Sequence, residues 1–196
     1  MIIAIKDKDR VVVACSTVDS LDGISDLDYV DEENVALKFS QTGKAFGLAI
    51  MDRRSDMLLY DEVFMGLEIT PKTIVKDVIP YIQCELKEND KPVDEDGSWQ
   101  NALVICDNEH IYDIDPKFGF SEAEDYVCHG YRVESLKSVL DATRHLPAEE
   151  RIIRAVNFAN KLHKENLFPL VITDTKSQKF KNIYQGDIVD VNTDSI

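Results

Sequence analysis

Apolar residues in the first fifty positions come in short runs of strand length. Ile2 to Ile5 and Val11 to Cys15 flank the polar turn Asp7-Lys8-Asp9-Arg10. Their Val/Ile content predicts two strands, and their spacing predicts a hairpin. Val35 to Phe39 and Ala45 to Ile50 repeat the pattern around Gln41-Thr42-Gly43. Between the hairpins, Asp19 to Glu33 is acidic, contains Gly23 and has few large apolar residues. It reads as a surface loop.

The period then changes. Met57, Leu58, Val63, Phe64 and Leu67 predict a helix. Thr70-Pro71 marks the start of another, with a threonine N-cap and a proline at the first helical position. Ile74, Val75, Val78, Ile79 and Ile82 continue it at helical spacing, and Pro80 is expected to kink or end it. Residues 87 to 99 read as a polar loop. Strands return at Ala102 to Cys106 and His110 to Ile114, separated by Asp107-Asn108, and Asp115-Pro116 ends the second. Tyr126 to Tyr131 is a further strand. Leu136, Val139, Leu140 and Thr143 share one helical face. Pro147-Ala148-Glu149-Glu150 opens another helix, whose early acids suit the dipole and whose stripe is Ile152, Ala155, Val156, Ala159 and His163. Phe168 to Thr173 and Ile183 to Val191 close the chain as strands.

Helices thus come in adjacent pairs rather than alternating with strands, which argues against a doubly wound sheet. The expected fold is α+β: a four-layer αββα sandwich, two stacked antiparallel sheets between helix pairs. With no internal repeat and no linker, residues 1–196 read as one domain.

Charge removes several function classes. The 196 residues carry 22 Lys and Arg against 37 Asp and Glu, a formal net charge of −15. So acidic a chain, without a basic cluster, repels phosphate and anionic lipid, so neither nucleic acid nor membrane is expected as a partner. No apolar run reaches the length of a membrane span, and the N-terminus is not a signal peptide. Cys15, Cys84, Cys106 and Cys128 form no CxxC, and three lie in apolar runs. Free thiols and a cytoplasmic location are expected. No cofactor is expected: neither GxGxxG nor GxxxxGK[ST] occurs. No His/Cys spacing fits zinc. The run Asp26, Asp28, Asp31, Glu32, Glu33 lacks the glycine and terminal glutamate of a calcium loop and reads as a solvated face, as does Asp94-Glu95-Asp96-Gly97.

Several local strings resemble the proteasome β-subunit family and its bacterial ring-peptidase relatives. Ile2-Ile3-Ala4-Ile5-Lys6 and Arg10-Val11-Val12-Val13-Ala14 are similar to that family's first hairpin. Ala102-Leu103-Val104-Ile105 with Ile111-Tyr112-Asp113-Ile114-Asp115-Pro116 is similar to its central one. Glu149-Glu150-Arg151-Ile152-Ile153-Arg154-Ala155 is similar to its late helix. The resemblance spans roughly residues 1 to 175. It implies the αββα sandwich of N-terminal-nucleophile hydrolases, with self-association as a ring or dimer and a partner protein of unknown identity.

It also implies a catalytic set that this chain mostly lacks. Where the family places its threonine nucleophile, this chain has Met1, which the bulky Ile2 is expected to protect from removal. The family's aspartate falls on Ser16, its lysine best matches Lys38, and its Gly-Ser-Gly falls on Cys128-His129-Gly130, which keeps one glycine and no serine. Its late Asp and Ser have no clear counterpart in Asn166 to Ile172. Met1, Ser16, Lys38, His129 and Gly130 are therefore degenerate family positions.

The bland readings count as well. Self-cleavage at Cys15-Ser16-Thr17 would discard the first strand, so a strand end is favoured. Lys38 alternates with Leu37 and Phe39 and reads equally as a solvent-facing strand residue. Cys128 and His129, adjacent on a strand, point to opposite faces and do not form a thiol–imidazole pair. His163 reads as a core histidine, and His110 and His145 as isolated. Losing a nucleophile costs on the order of 10⁶ in rate. The expectation is a non-peptidase assembly or binding protein. The alternative is a rewired amide hydrolase of the same fold, with a non-standard nucleophile or a partner-completed site, and an apolar plug around Met1 would count against it. An unrelated α+β binding domain is the third possibility.

Overall fold

The computed structural model describes residues 1–16, 37–40, 42–49, 61–88, 99, 101–130, 132–164 and 166–185. The acidic stretch 19–33, the apolar residues 57 and 58, the acids at 94–96 and the strand expected beyond 185 lie outside the described residues.

The first hairpin forms as its pattern dictates. β1 (Ile2–Asp7) pairs antiparallel with β2 (Arg10–Ser16) in the register Ile2↔Cys15, Ile3↔Ala14, Ile5↔Val12. Apolar residues occupy both faces, because each face is covered. Ile3, Ile5, Val12 and Ala14 join one buried cluster; Ile2, Ala4, Val11, Val13 and Cys15 join another. β3 (Leu37–Phe39) and β4 (Ala45–Ala49) form the second hairpin, and β5 (Ala102–Cys106) and β6 (Ile111–Ile114) the third. β7 (Phe120–Ala123) was not anticipated: Phe-Ser-Glu-Ala carries too little apolar pattern, and as an edge strand it buries none of its residues fully. β8 (Tyr126–His129) is shorter than expected. β9 (Leu170–Asp174) and β10 (Lys181–Ile183) close the described chain.

The strands make two antiparallel five-stranded sheets, ordered β10-β9-β2-β1-β8 and β3-β4-β5-β6-β7. One cluster lies between them, and each outer face carries another under helices. The αββα expectation is borne out.

On the second sheet lie α1 (Glu62–Met65), α2 (Pro71–Thr73), a π-helical stretch (Ile74–Val78) and α3 (Ile79–Glu88). In place of a helix through Leu67 there is a single turn, α1, capped by Asp61. Thr70 caps as expected: its hydroxyl accepts from the Thr73 amide while its own amide donates to the Thr73 hydroxyl. Pro80 does not end the helix. The π stretch shifts the hydrogen bonds by one residue, the Ile79 amide reaching the Ile74 carbonyl. That wider turn accommodates the missing amide and the ring of Pro80. Trp99 is not a loop residue in solvent either: it is 1% exposed and stacks on Phe118 at 6.0 Å. On the first sheet, α4 (Val133–Ala142) and α5 (Ala148–His163) pack against each other. Arg151 is buried there, forked onto Asp125 by two 3.0 Å hydrogen bonds and donating to the Leu140 carbonyl. No described helix is long and apolar enough to cross a membrane.

Candidate functional site

β1 is a central strand of its sheet, so whatever precedes it lies between the ends of two neighbours. Ile2 pairs with Cys15 on β2 and with His129 on β8. Met1 therefore meets Ser16 on one side and Gly130 on the other. The Ser16 amide donates to the Met1 carbonyl at 3.1 Å. The Ser16 hydroxyl donates to the Leu167 carbonyl at 2.8 Å, and the Leu167 amide donates to Oδ1 of Asn160 on α5 at 2.9 Å. These bonds fix the Met1 end of the sheet to the helix layer.

Gly130 has φ +104°, and a Cβ there would lie 2.7 Å from the Met1 Cα. Only glycine allows both the backbone angle and the approach. The retained glycine thus has a steric role that does not depend on catalysis.

The electrostatics of this end are those of an apolar enclosure. Burial holds the Met1 α-amine below its ordinary value, only partly opposed by the thiols of Cys15 and Cys128. Burial pushes both thiols up, each to about 12. Near neutral pH they are protonated, and a thiol rather than a thiolate is a poor nucleophile. Burial raises Cys106 as well. All four cysteines are free, and Cys84 alone is exposed.

The space between the sheets beside Met1 is filled. Ile2 and Leu37 are fully buried, and a Cβ on Gly47 would fall 1.9 Å from the Ile2 Cδ1. Leu37 pairs with Gly47, so it shares that inner face. Lys38 pairs with Phe46, a residue of the helix-side cluster, and antiparallel partners share a face. Lys38 therefore lies on the helix-facing side of its sheet, whereas Leu37 and Gly47 face the other sheet. Met1, Ser16, His129 and Gly130 do come together; Lys38 does not join them.

His129 reaches across to the other sheet. Its Nε2 lies 2.6 Å from Oδ1 of Asp113 on β6. Cys128, its neighbour, is buried on the helix side, as strand alternation requires. Sequence reasoning missed Asp113; its signal is one acid inside an otherwise apolar strand, Ile111 to Ile114. Asn160 and Leu167 had no such signal. His163 is half-buried with its Nε2 2.8 Å from the Ser135 Oγ, and His110 packs on Tyr112 with its Nδ1 3.0 Å from Asp107. Among the described residues no group of three His, Cys, Asp or Glu is arranged to hold a metal ion.

No family model matches the sequence, and no curated protein matches it. Solved structures do match. BPH from Thiobacillus denitrificans aligns at a TM-score of 0.72 with 16% identity, covering 88% of this chain and 96% of that one. HslV from Trypanosoma brucei aligns at 0.60 with 15% identity, covering 88% and 97%. Anbu, an ancestral β-subunit from Yersinia bercovieri, aligns at 0.60 with 14% identity, covering 94% and 87%. All three are proteasome-β-like, with the N-terminal-nucleophile hydrolase fold, and this chain has that fold. At these identities the likeness is one of fold.

Proposed function

We propose that this is a proteasome-β-like protein without threonine-peptidase activity, acting as an assembly or binding protein. The observation that carries the reading is the Met1 end of β1, where the α-amine is buried and the half-buried side chain packs on the helix-side cluster. A side chain with no hydroxyl or thiol stands at the start of β1, where the family resemblance puts a threonine. Among the described residues, the groups that act on its buried α-amine are the thiols of Cys15 and Cys128. Cys15 and Cys128 are protonated and buried, the Ser16 hydroxyl is engaged by the Leu167 carbonyl, and Ile2 and Leu37 fill the gap between the sheets. Among the described residues at this end a rewired hydrolase finds no activated nucleophile.

Self-association is part of the proposal. Val63 and Val75, on the helical layer of the second sheet, are 64% and 53% exposed, and such apolar surface favours contact with protein. Free cysteines support a reducing, cytoplasmic setting. The net charge of −15 disfavours nucleic acid.

Epoxomicin, bound in one of the solved BPH structures, is a suitable probe. The full chain is incubated with it and weighed intact by mass spectrometry, which also reads whether Met1 is retained. The expected result is a Met1 terminus, no adduct and no turnover of fluorogenic peptides. An adduct, or turnover abolished by Ser16→Ala, would overturn the reading. Light scattering on a size-exclusion column reads the assembly: a multimer is expected, and a monomer at all concentrations would leave binding alone.

A further inference from the structure

α4 and α5 are joined by only five residues, Thr143 to Pro147, so the start of α4 lies beside the end of α5. Ser135, in the first turn of α4, and His163, the last residue of α5, meet there. Ser135 Oγ lies 2.8 Å from His163 Nε2, and both side chains are half-buried. A hydroxyl within hydrogen-bond reach of an imidazole nitrogen is the core of an activated nucleophile. The surroundings add two features. The N-cap residue of α4, Arg132, has φ +59° and makes no side-chain cap, so the amides of the first turn are not met by it. Such amides favour developing negative charge. Leu162, next to His163, and Phe158, one turn earlier, are exposed apolar side chains on the same helix.

We infer that Ser135 and His163 form an acyl-acceptor site for small activated esters with an apolar acyl group, separate from the Met1 enclosure. The Ser135 Oγ attacks the ester carbonyl and forms the new C–O bond. Its proton passes to His163 Nε2, the bond to the leaving group breaks, and the leaving oxygen departs with the electron pair and takes that proton from His163. Water then hydrolyses the acyl-serine, releasing the carboxylic acid and restoring the hydroxyl. The exposed pair Phe158 and Leu162 gives the acyl chain an apolar surface.

Interhelical packing alone would also produce such a hydrogen bond, and the experiment separates the two. The full chain is treated with p-nitrophenyl butyrate, then mapped by peptide mass with and without hydroxylamine, which removes acyl groups from oxygen but not from nitrogen. One butyryl group is expected on Ser135, lost in hydroxylamine. Ser135→Ala should lose it, and Ser135→Cys should carry it as a thioester. His163→Gln should slow acylation about 100-fold, the usual share of a general base. Thermal unfolding of each variant checks the fold. Should Ser135→Ala fail to fold, wild-type mapping and His163→Gln decide. Butyryl groups confined to lysines or the α-amine, or Ser135 acylation unchanged in His163→Gln, would overturn the inference.

Discussion

Ile2 lies over Gly47 with no room for a methyl group between them: a Cβ at position 47 would fall 1.9 Å from the Ile2 Cδ1 and 3.6 Å from the Leu37 Cδ1. The two residues face each other from opposite sheets, and Ile2 is fully buried, so it has little room to rotate. Gly47→Ala is expected to destabilise the fold by about 1–3 kcal/mol, the usual cost of overpacking a core. Ile2→Ala in the same chain should recover part of that loss, because the two changes share one space. Urea unfolding of both single variants and the double variant measures the coupling. Strictly additive losses would mean that the sheets move apart instead.

Thiol chemistry should follow burial. Iodoacetamide on the folded protein is expected to modify Cys84 alone, and all four cysteines once the protein is unfolded. Cys15 and Cys128, held at about 12, are both shielded and protonated. Rapid labelling of Cys15 in the folded state would mean the enclosure opens.

Two arginines reach the same carboxylate with different consequences. Arg151 is 4% exposed at its side chain and forks onto Asp125, whereas Arg144 is 63% exposed and lies 3.5 Å from it. Asp125→Ala leaves the buried Arg151 guanidinium with the Leu140 carbonyl as its remaining described acceptor. The expected loss is about 2–3 kcal/mol, at or below the low end for breaking a buried pair because Asp125 is itself 32% exposed. Arg144→Ala should cost under about 1 kcal/mol, as exposed pairs do. Chemical denaturation of the two variants reads the contrast directly.

The buried α-amine should make stability depend on pH. Burial lowers its folded-state value beneath the ordinary 8.0, so between the two the unfolded chain binds more protons than the folded one. Stability then rises with pH across that window and levels off above about 8. The slope is best read above neutrality, past the ordinary range of the histidines, from urea midpoints at stepped pH. A flat profile there would mean the amine is solvated when folded.

Much of the fold was legible because both sheets are built from hairpins whose strands are apolar on each face. Runs such as Ile2 to Ile5 and Ala102 to Cys106 announce themselves, and adjacent helix pairs fix the layering. What stayed hidden depends on partners distant in sequence. Trp99 looked like loop because its neighbours are polar, yet Phe118 draws it into the core. Pro80 looked like a helix end because the compensating π stretch depends on the turn before it. At the site, Gly130 stood out through the resemblance as the one glycine kept of Gly-Ser-Gly, but its reason, contact with Met1, was not visible. The face that Lys38 takes depends on register: one position along β3 separates the inner face from the helix side.

The strand order of the first sheet has a consequence for synthesis. The hairpin of β1 and β2 is made well before its flanking strands, β8 and β9, which begin at Tyr126 and Leu170. The second sheet is a local meander, β3 to β7, that can pair as it is made. Until β8 arrives both edges of this hairpin are open, and the β2 edge stays open until β9 follows. Such strands are templates for pairing with other nascent copies. The same central placement that encloses Met1 makes the N-terminal hairpin the segment most in need of a chaperone while the protein is being made.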